Sequence, residues 1–167
     1  MAFKKAIAVI ALRVRGVDAV IGYELFNEPS PGEATAAGFE ERYLTEFYEC
    51  VGSAVREADS SAPVWVEPEG LTNAGNPATL GEIDISQLVY SFHNYADLPL
   101  NFANPYAMDR TDAVGYRNQE WVVTNNRQRA EALNAVPVMA EFSPGNDTED
   151  SQNLSRLADK YRISWTY

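Results

Sequence analysis

Two glutamates in this sequence, Glu28 and Glu141, each lie at the end of a short apolar segment. Two carboxyl groups that face each other across a sugar can cleave a glycosidic bond. One protonates the leaving oxygen, and the other attacks the anomeric carbon or activates a water molecule. The acid of such a pair needs a raised pKa and its partner must be ionised, so their surroundings must differ. Taken singly, either residue could be no more than a solvated glutamate at a strand end.

Other side chains with useful chemistry also follow or lie in apolar segments. Glu67 ends one segment, His93 and Tyr95 follow another, and Trp165 lies in the last. His93 is the only histidine of the chain, and its place two residues before a tyrosine favours a functional role over a structural one. The carboxyl ends of parallel strands line the active sites of α/β folds, so we expect these side chains to meet at one edge of a sheet. Glu67 and Glu69 could contact a substrate, but a place in a polar loop is the simpler interpretation for both.

Alternating strand and helix patterns position these residues. Short apolar segments predict five strands, at 20–27, 63–67, 88–92, 137–142 and from 163 onward. Apolar residues at three- and four-residue steps predict helices at 36–58, 116–134 and 150–161. Residues 98–112 are predicted to form a loop, and no helix is predicted at 70–86. The alternation predicts an α/β fold with a parallel sheet, either open and doubly wound or closed as a barrel.

The N-terminal residues combine a basic start with a short apolar run, which suggests a signal peptide. No small-residue cleavage site follows the run, however, and Phe3, Ile7, Ile10 and Val14 share one face of a helix. We therefore predict an amphipathic helix that ends at Gly16, and no signal peptide in this chain. No apolar run approaches the ~20 residues that span a bilayer, so we expect no transmembrane segment.

Composition limits the classes of function that the chain could have. Its 167 residues suit one domain, which we place at 1–167. The 24 acidic residues outnumber the 13 basic ones, and the net charge of −11 argues against binding to nucleic acid or to an anionic membrane. Cys50 is the only cysteine, which rules out an internal disulfide and a cysteine-based zinc site. No glycine-rich phosphate loop follows a predicted strand, so nucleotide binding has no support.

Four segments together resemble glycoside hydrolase family 5, the cellulase-like retaining β-glycosidases with a (β/α)8 barrel. Residues 22–29 (Gly-Tyr-Glu-Leu-Phe-Asn-Glu-Pro) are similar to the family's fourth strand, and residues 91–95 (Ser-Phe-His-Asn-Tyr) to its sixth. Residues 137–142 (Pro-Val-Met-Ala-Glu-Phe) are similar to the seventh strand, and residues 163–165 (Ile-Ser-Trp) to the eighth. Residues 65–68 (Trp-Val-Glu-Pro), together with 22–29, are similar to the endoglycoceramidase-like branch. The resemblance implies a partial (β/α)8 barrel of about strands four to eight, with parallel strands and covering helices.

The resemblance also implies a role for each site residue. Glu28 would be the acid/base of a double displacement, and Glu141 would be the nucleophile that forms a glycosyl-enzyme. Asn27 would bind the sugar 2-hydroxyl, and Tyr95 would donate to Glu141. His93 would orient the acid/base side or a sugar hydroxyl. Retention requires the two carboxyl groups to lie about 5–5.5 Å apart.

The expected substrate is a β-linked oligosaccharide, polysaccharide or glycolipid, cleaved in an endo-glucanase-like (cellulase-like) or endoglycoceramidase-like reaction. Trp165 would stack on a pyranose face, although a tryptophan near a barrel rim could also simply fill the core. The two-carboxylate mechanism needs no metal and no organic cofactor, and we expect neither. By resemblance, the parent enzyme is expected to be secreted.

The resemblance begins just before the family's fourth strand, so strands one to three have no counterpart in these residues, nor do the arginine on strand two and the histidine after strand three. A (β/α)8 barrel takes about 250 residues, and we therefore expect a truncated hydrolase whose outer strands are open edges. Three interpretations stay open: a retaining glycosidase with partial support for its site, an inactive remnant that binds sugar weakly, or a half-barrel completed by homodimerisation or by a separate N-terminal fragment. We expect the isolated chain to be weakly active or inactive.

Overall fold

A computed structural model describes residues 2–32, 38–96, 112–143 and 148–166, and for residues 112–118 it describes the helical backbone alone. These ranges contain five strands: β1 (Tyr23–Glu24), β2 (Val64–Val66), β3 (Leu88–Asn94), β4 (Val136–Phe142) and β5 (Ser164–Trp165). They also contain four α-helices: α1 (Ala2–Val14), α2 (Thr45–Ala58), α3 (Asp112–Ala132) and α4 (Thr148–Tyr161). A π-helical segment (Phe39–Leu44) leads into α2, and a 3₁₀ helix (Gly70–Ala74) follows β2.

The five strands form one sheet in the order β1-β2-β3-β4-β5, and every neighbouring pair is parallel. A doubly wound sheet reverses its strand order at a switch point. Consecutive strands of a (β/α)8 barrel instead follow one another around the barrel. The observed order therefore confirms the predicted parallel α/β fold, and it favours part of a barrel over an open doubly wound sheet. Within the described residues, β1 and β5 pair on one side only.

The hydrophobic core lies between one face of the sheet and the helices. Tyr90 and Phe92 of β3 and Met139 of β4 are fully buried in it, in the same cluster as Tyr48 of α2. Side chains alternate between the two faces of a strand. His93 therefore points to the opposite face, which corresponds to the interior of a barrel.

The predicted N-terminal helix is confirmed as α1, but the prediction of its buried face was wrong by about one residue. Ala11 is fully buried, whereas Ile10 is exposed, and Ile7 and Val14 pack against the core. Residues 7, 11 and 14 keep the four- and three-residue steps of a helix face. The helix is rotated so that the small side chain of Ala11 meets the core, where α1 packs against α2. None of the described helices is both long and apolar enough to cross a membrane.

The strand boundaries differ from the prediction at two places that matter for the site. β1 contains only two residues of the predicted 20–27, because it pairs with β2 alone, Tyr23 with Val64 and Glu24 with Trp65. β3 continues to Asn94, beyond the predicted end at residue 92, so His93 lies within a strand. Most of the predicted loop at 98–112 and the first two residues of the predicted helix at 36–58 lie outside the described residues.

Candidate active site

Four of the predicted site residues lie together at the carboxyl ends of the strands. A carboxylate oxygen of Glu28, one of Glu141 and a ring nitrogen of His93 lie within 4.8 Å of one another. Nδ1 of His93 is 2.9 Å from Oε1 of Glu28 and 3.5 Å from Oε2 of Glu141. The hydroxyl of Tyr95 donates to Oε2 of Glu141 at 3.0 Å. The histidine ring thus faces both carboxyl groups of the predicted pair.

A β-bulge in β4 turns Glu141 toward the other site residues. Phe92 pairs with Met139, but the next residue, His93, pairs with Glu141, so Ala140 is an extra residue in β4. Without it, strand alternation would place Glu141 on the helix-covered face, next to the position of Met139. The bulge therefore places Glu141 on the same face as His93.

Glu28 follows β1 in a backbone conformation that is rare for residues other than glycine. Its φ is +44°, in the left-handed region, where such residues cost about 1–3 kcal/mol. Its N–H donates to Oε2 of Glu67 at 2.7 Å, and the side-chain amide of Asn73 donates to Oε1 of Glu28 at 3.0 Å. These two contacts hold the backbone and the carboxyl group of Glu28 in place.

His93 is almost fully buried, with 1% of its side chain exposed. Its Nε2 lies 3.3 Å from Oε1 of Glu67, so carboxylates face both ring nitrogens. Burial alone would lower the pKa of His93. The close contact and charge of Glu67, the hydrogen bond to Glu28 and the charge of Glu141 outweigh burial and raise that pKa to about 9. At neutral pH the ring is therefore an imidazolium, a positive charge held against two carboxyl groups.

Two residues that contact the site, Glu67 and Asn73, were not predicted as site residues. The interpretation of Glu67 as part of a polar loop was wrong, because it is 2% exposed at the end of β2. Its position at the end of an apolar strand, shared with other site residues, was the available signal. Asn73 accepts the N–H of His93 on its side-chain oxygen and the N–H of Tyr95 on its carbonyl oxygen. It lies in a polar segment without periodicity, and no sequence signal distinguishes it.

The two remaining predicted site residues, Asn27 and Trp165, lie outside this set of contacts. Asn27 directly precedes Glu28 and is exposed. Trp165 is in register with Met139, on the helix-covered face of the sheet. Its ring packs edge-on against Phe142 at 5.7 Å, and its indole N–H donates to Asp159 of α4 at 3.3 Å. The structure does not bring Trp165 to the carboxyl pair, and its role in stacking stays a prediction.

The spacing of Glu28, His93 and Glu141 also resembles that of metal ligands. A metal ion binds a histidine nitrogen only when that nitrogen is unprotonated. The raised pKa of His93 opposes this at neutral pH, and the imidazolium already supplies a positive charge there.

One open space borders Glu141, and a second lies beside Pro29, the residue after Glu28. A cavity of about 210 Å³ lies against Glu141 and Tyr95. A groove of about 210 Å³ begins at Pro29, directly after Glu28. Apart from Ser30, the rest of its lining is apolar or aromatic, with Phe26, Phe39, Tyr43, Leu44 and Phe47. Glu141 therefore borders one open space directly, and the groove with the aromatic lining begins one residue after Glu28.

Comparisons with known proteins agree with this geometry. A model of the family described as Cellulase (glycosyl hydrolase family 5) matches residues 1–167. Endoglycoceramidase I from Rhodococcus hoagii (strain 103S) is 28% identical over 177 residues, which cover 97% of this chain and 35% of that protein. The chain thus spans about a third of the length of this curated relative.

Solved structures show the same fold. Endo-glycoceramidase II from Rhodococcus sp., in its cellobiose-like imidazole complex, matches with a TM-score of 0.84 and 24% identity, over 99% of this chain and 39% of that one. The cellulose synthase subunit Z (CcsZ) from Clostridioides difficile matches with a TM-score of 0.73 and 20% identity, over 99% of this chain and 58% of that one. These likenesses confirm the predicted partial (β/α)8 barrel.

Proposed function

The chain belongs to the cellulase family, glycosyl hydrolase family 5, and from this premise we propose that Glu28 and Glu141 cleave a β-glycosidic bond with retention of configuration. One observation carries the proposal: carboxylate oxygens of the two residues lie within 4.8 Å of each other. Retaining enzymes place their carboxyl groups about 5–5.5 Å apart, whereas inverting enzymes leave about 6.5–9.5 Å for a water molecule. Two oxygens within 4.8 Å leave too little room for a water molecule to bind between them, which supports direct attack by a carboxylate.

In the first step, Glu28 gives its proton to the glycosidic oxygen while Glu141 attacks the anomeric carbon. Asn73 and His93 both contact Oε1 of Glu28, which leaves Oε2 to carry the proton. Tyr95 and His93 both face Oε2 of Glu141, which leaves Oε1 for the attack. The bond to the leaving oxygen breaks as the bond to Oε1 forms, and the product is a glycosyl-enzyme.

In the second step, Glu28 is ionised and acts as a base. It takes a proton from a water molecule, whose oxygen attacks the anomeric carbon and releases Glu141 as a carboxylate. His93 lies 2.9 Å from Oε1 of Glu28, so Oε2 is the oxygen that takes this proton. In this proposal Asn27, exposed next to Glu28, binds the sugar 2-hydroxyl, a contact that strengthens in the transition state.

The roles are tested with Glu28→Gln and Glu141→Gln on a 2,4-dinitrophenyl β-cellobioside and on an unactivated substrate. We expect Glu141→Gln to lose activity on both substrates. Glu28→Gln should keep most of the first-step rate on the activated substrate, because dinitrophenolate leaves without a proton. Proton NMR of the wild-type reaction should show the β-anomer of the product first. Equal loss of first-step rate in the two variants, or the α-anomer first, would contradict the assignment.

A second observation, the groove that begins at Pro29, directly after Glu28 in the sequence, favours an apolar leaving group. The acid/base protonates the leaving oxygen, so the aglycone must lie on its side of the site. The groove there offers aromatic surface, with Tyr43 56% exposed, and few partners for the hydroxyls of a further sugar. The curated relative described above is named an endoglycoceramidase. We therefore favour a glycolipid substrate, cleaved between sugar and aglycone, over a polysaccharide.

The variant Tyr43→Ser tests this substrate class. We expect kcat/KM to fall about tenfold on a glycolipid with a fluorescent acyl chain, because roughly 1–2 kcal/mol of aromatic contact is lost. The same variant should leave kcat/KM on an aryl cellobioside unchanged. The control is Val9→Ser, which changes an exposed apolar residue on α1, outside the groove. A parallel fall on both substrates would assign Tyr43 to folding rather than to aglycone binding.

A further inference from the structure

Glu67 is held rigidly at the end of β2 by a buried tyrosine. The hydroxyl of Tyr48 donates to the carbonyl oxygen of Glu67 at 2.9 Å, and the N–H of Glu67 donates back to that hydroxyl at 3.2 Å. Tyr48 itself is fully buried in α2. The backbone of Glu67 is therefore fixed to the core, and its carboxylate is aimed from a rigid base.

The two oxygens of this carboxylate contact two different parts of the site. Oε1 lies 3.3 Å from Nε2 of His93, and Oε2 accepts the backbone N–H of Glu28 at 2.7 Å. One side chain thus contacts both the imidazole that faces the carboxyl pair and the strained backbone of the acid/base. A glutamate at a strand end that only met solvent would make neither contact.

We propose that Glu67 is a positioning residue, which holds the His93 ring and the Glu28 backbone in the places that the catalytic pair requires. The assignment rests on the proposed function of that pair. Glu67 touches neither sugar nor reacting atoms in this role. It acts through His93, by keeping a proton on the ring so that Nδ1–H donates to Glu28 and faces Glu141.

Several charged or titratable groups face His93, and Glu67 is the most shielded from solvent of those paired with the ring. Glu24 and Glu28 face it from the end of β1, Tyr95 from the end of β3, and Glu141 from β4. The side chains of Glu28 and Glu141 are 42% and 47% exposed, whereas that of Glu67 is 2% exposed. Water screens charges at exposed sites far more than at buried ones. Glu67 thus contributes more than Glu28 or Glu141 to the raised pKa of His93, which is about 9.

The test uses the fact that the chain has one histidine. In ¹⁵N-labelled protein without a histidine tag, the ring signals need no assignment among histidines. We expect wild-type His93 to show two protonated ring nitrogens at pH 8 and to titrate near 9. A neutral ring at pH 8 would overturn the proposal without any variant.

The variant Glu67→Gln removes the charge but keeps an oxygen that can accept the Glu28 N–H. We expect the His93 midpoint to fall by about one to three pH units, the usual effect of losing an adjacent opposite charge. The matched control is Glu69→Gln, two residues along, at a glutamate that faces Glu40. Glu67→Asp keeps the charge, so the titration midpoint of His93 should stay closer to the wild-type value than to that of Glu67→Gln. An unchanged midpoint in Glu67→Gln would overturn the proposal.

A rate measurement separates positioning from a merely structural role. The rate of labelling by a 2,4-dinitrophenyl 2-deoxy-2-fluoroglycoside needs no proton from Glu28. We expect this rate to fall above about pH 9 in the wild type and from a correspondingly lower pH in Glu67→Gln. A uniform fall at every pH would assign Glu67 to folding and overturn the proposal. If the titration midpoint of His93 shifts but the fluoroglycoside never modifies the protein, the proposed function is refuted. The effect of Glu67 on His93 would still be established.

Discussion

At the scale of single residues, two donors share one oxygen of Glu28. The amide of Asn73 lies 3.0 Å from Oε1, and Nδ1 of His93 lies 2.9 Å from the same atom. A carboxyl group held in this way presents its other oxygen in one direction only. Such a geometry suits an acid that must deliver a proton to one defined oxygen of the substrate.

Removal of one of these donors should weaken acid catalysis selectively. We expect Asn73→Ala to lower kcat on an unactivated substrate by roughly tenfold to hundredfold, a part of the 10²–10⁴-fold that general acid catalysis supplies. KM should change little, and a dinitrophenyl glycoside should lose less because its leaving group needs no proton. Steady-state kinetics on the two substrates, with Asn76→Ala as the matched control, measure this. Equal losses on both substrates would contradict a role for Asn73 in acid catalysis.

The sequence locates some of these residues and not others, for physical reasons. Glu28, His93, Tyr95 and Glu141 lie at or next to strand ends, and parallel strands bring their ends together, so their proximity could be predicted. Asn73 could not, because a 3₁₀ helix in a polar segment leaves no periodic pattern. The roles assigned to the predicted residues stay predictions until the variants are measured.

At the scale of elements, register decides which side chains reach the site. The period of two along a strand predicts that residues 139 and 141 share a face. The bulge at Ala140 breaks that rule and turns Glu141 to the face of His93. No pattern in the sequence of β4 predicts the bulge, because the bulge arises from the pairing of β4 with β3. The sequence therefore predicts the strand β4, but only the structure shows on which face of the sheet Glu141 lies.

The end of α2 offers a prediction about stability at low pH. The carboxylate of Asp59 accepts hydrogen bonds from the N–H and hydroxyl of Ser61 and from the hydroxyl of Tyr23 in β1. The hydrogen bonds from Ser61, followed by the bond from Tyr23, lower the pKa of Asp59 from its ordinary value of 3.8 to about 2. A carboxyl group with a lowered pKa stabilises the folded chain above its ordinary pKa, and the contribution is lost as pH falls toward the lowered value.

We therefore expect the free energy of unfolding to depend on Asp59 between about pH 4 and pH 2. In Asp59→Asn the free energy of unfolding should decline less steeply over that range than in the wild type. Urea denaturation followed by tryptophan fluorescence at several pH values measures the slope. Identical slopes for the two proteins would show that the Asp59 contacts do not persist in solution.

At the scale of the whole molecule, the described sheet has two outer strands with unpaired backbone groups on one side. β1 and β5 occupy these positions, and such edges favour association with another chain. The net charge of −11 opposes association between copies. Salt shortens the range of that repulsion, from about 10 Å at 0.1 M ionic strength to about 3 Å at 1 M.

The open sheet edges favour association and the net charge opposes it, so we predict that copies of the chain associate more strongly as salt concentration rises. We expect light scattering to give a mass near 18.5 kDa in dilute solution at low ionic strength. The mass should rise toward that of a dimer as protein and salt concentrations increase. A mass that stays at the monomer value under all these conditions would contradict association through the sheet edges.

The most direct test of the proposal that Glu28 and Glu141 form a retaining pair is covalent trapping. Intact-mass spectrometry after incubation with activated 2-deoxy-2-fluoro-β-glucosides and cellobiosides detects one turnover per molecule, so even a weakly active chain is informative. We predict a single adduct that peptide mapping places on Glu141, and none in Glu141→Gln. An adduct on another residue, or an unchanged mass after prolonged incubation with both reagents, would contradict the proposal.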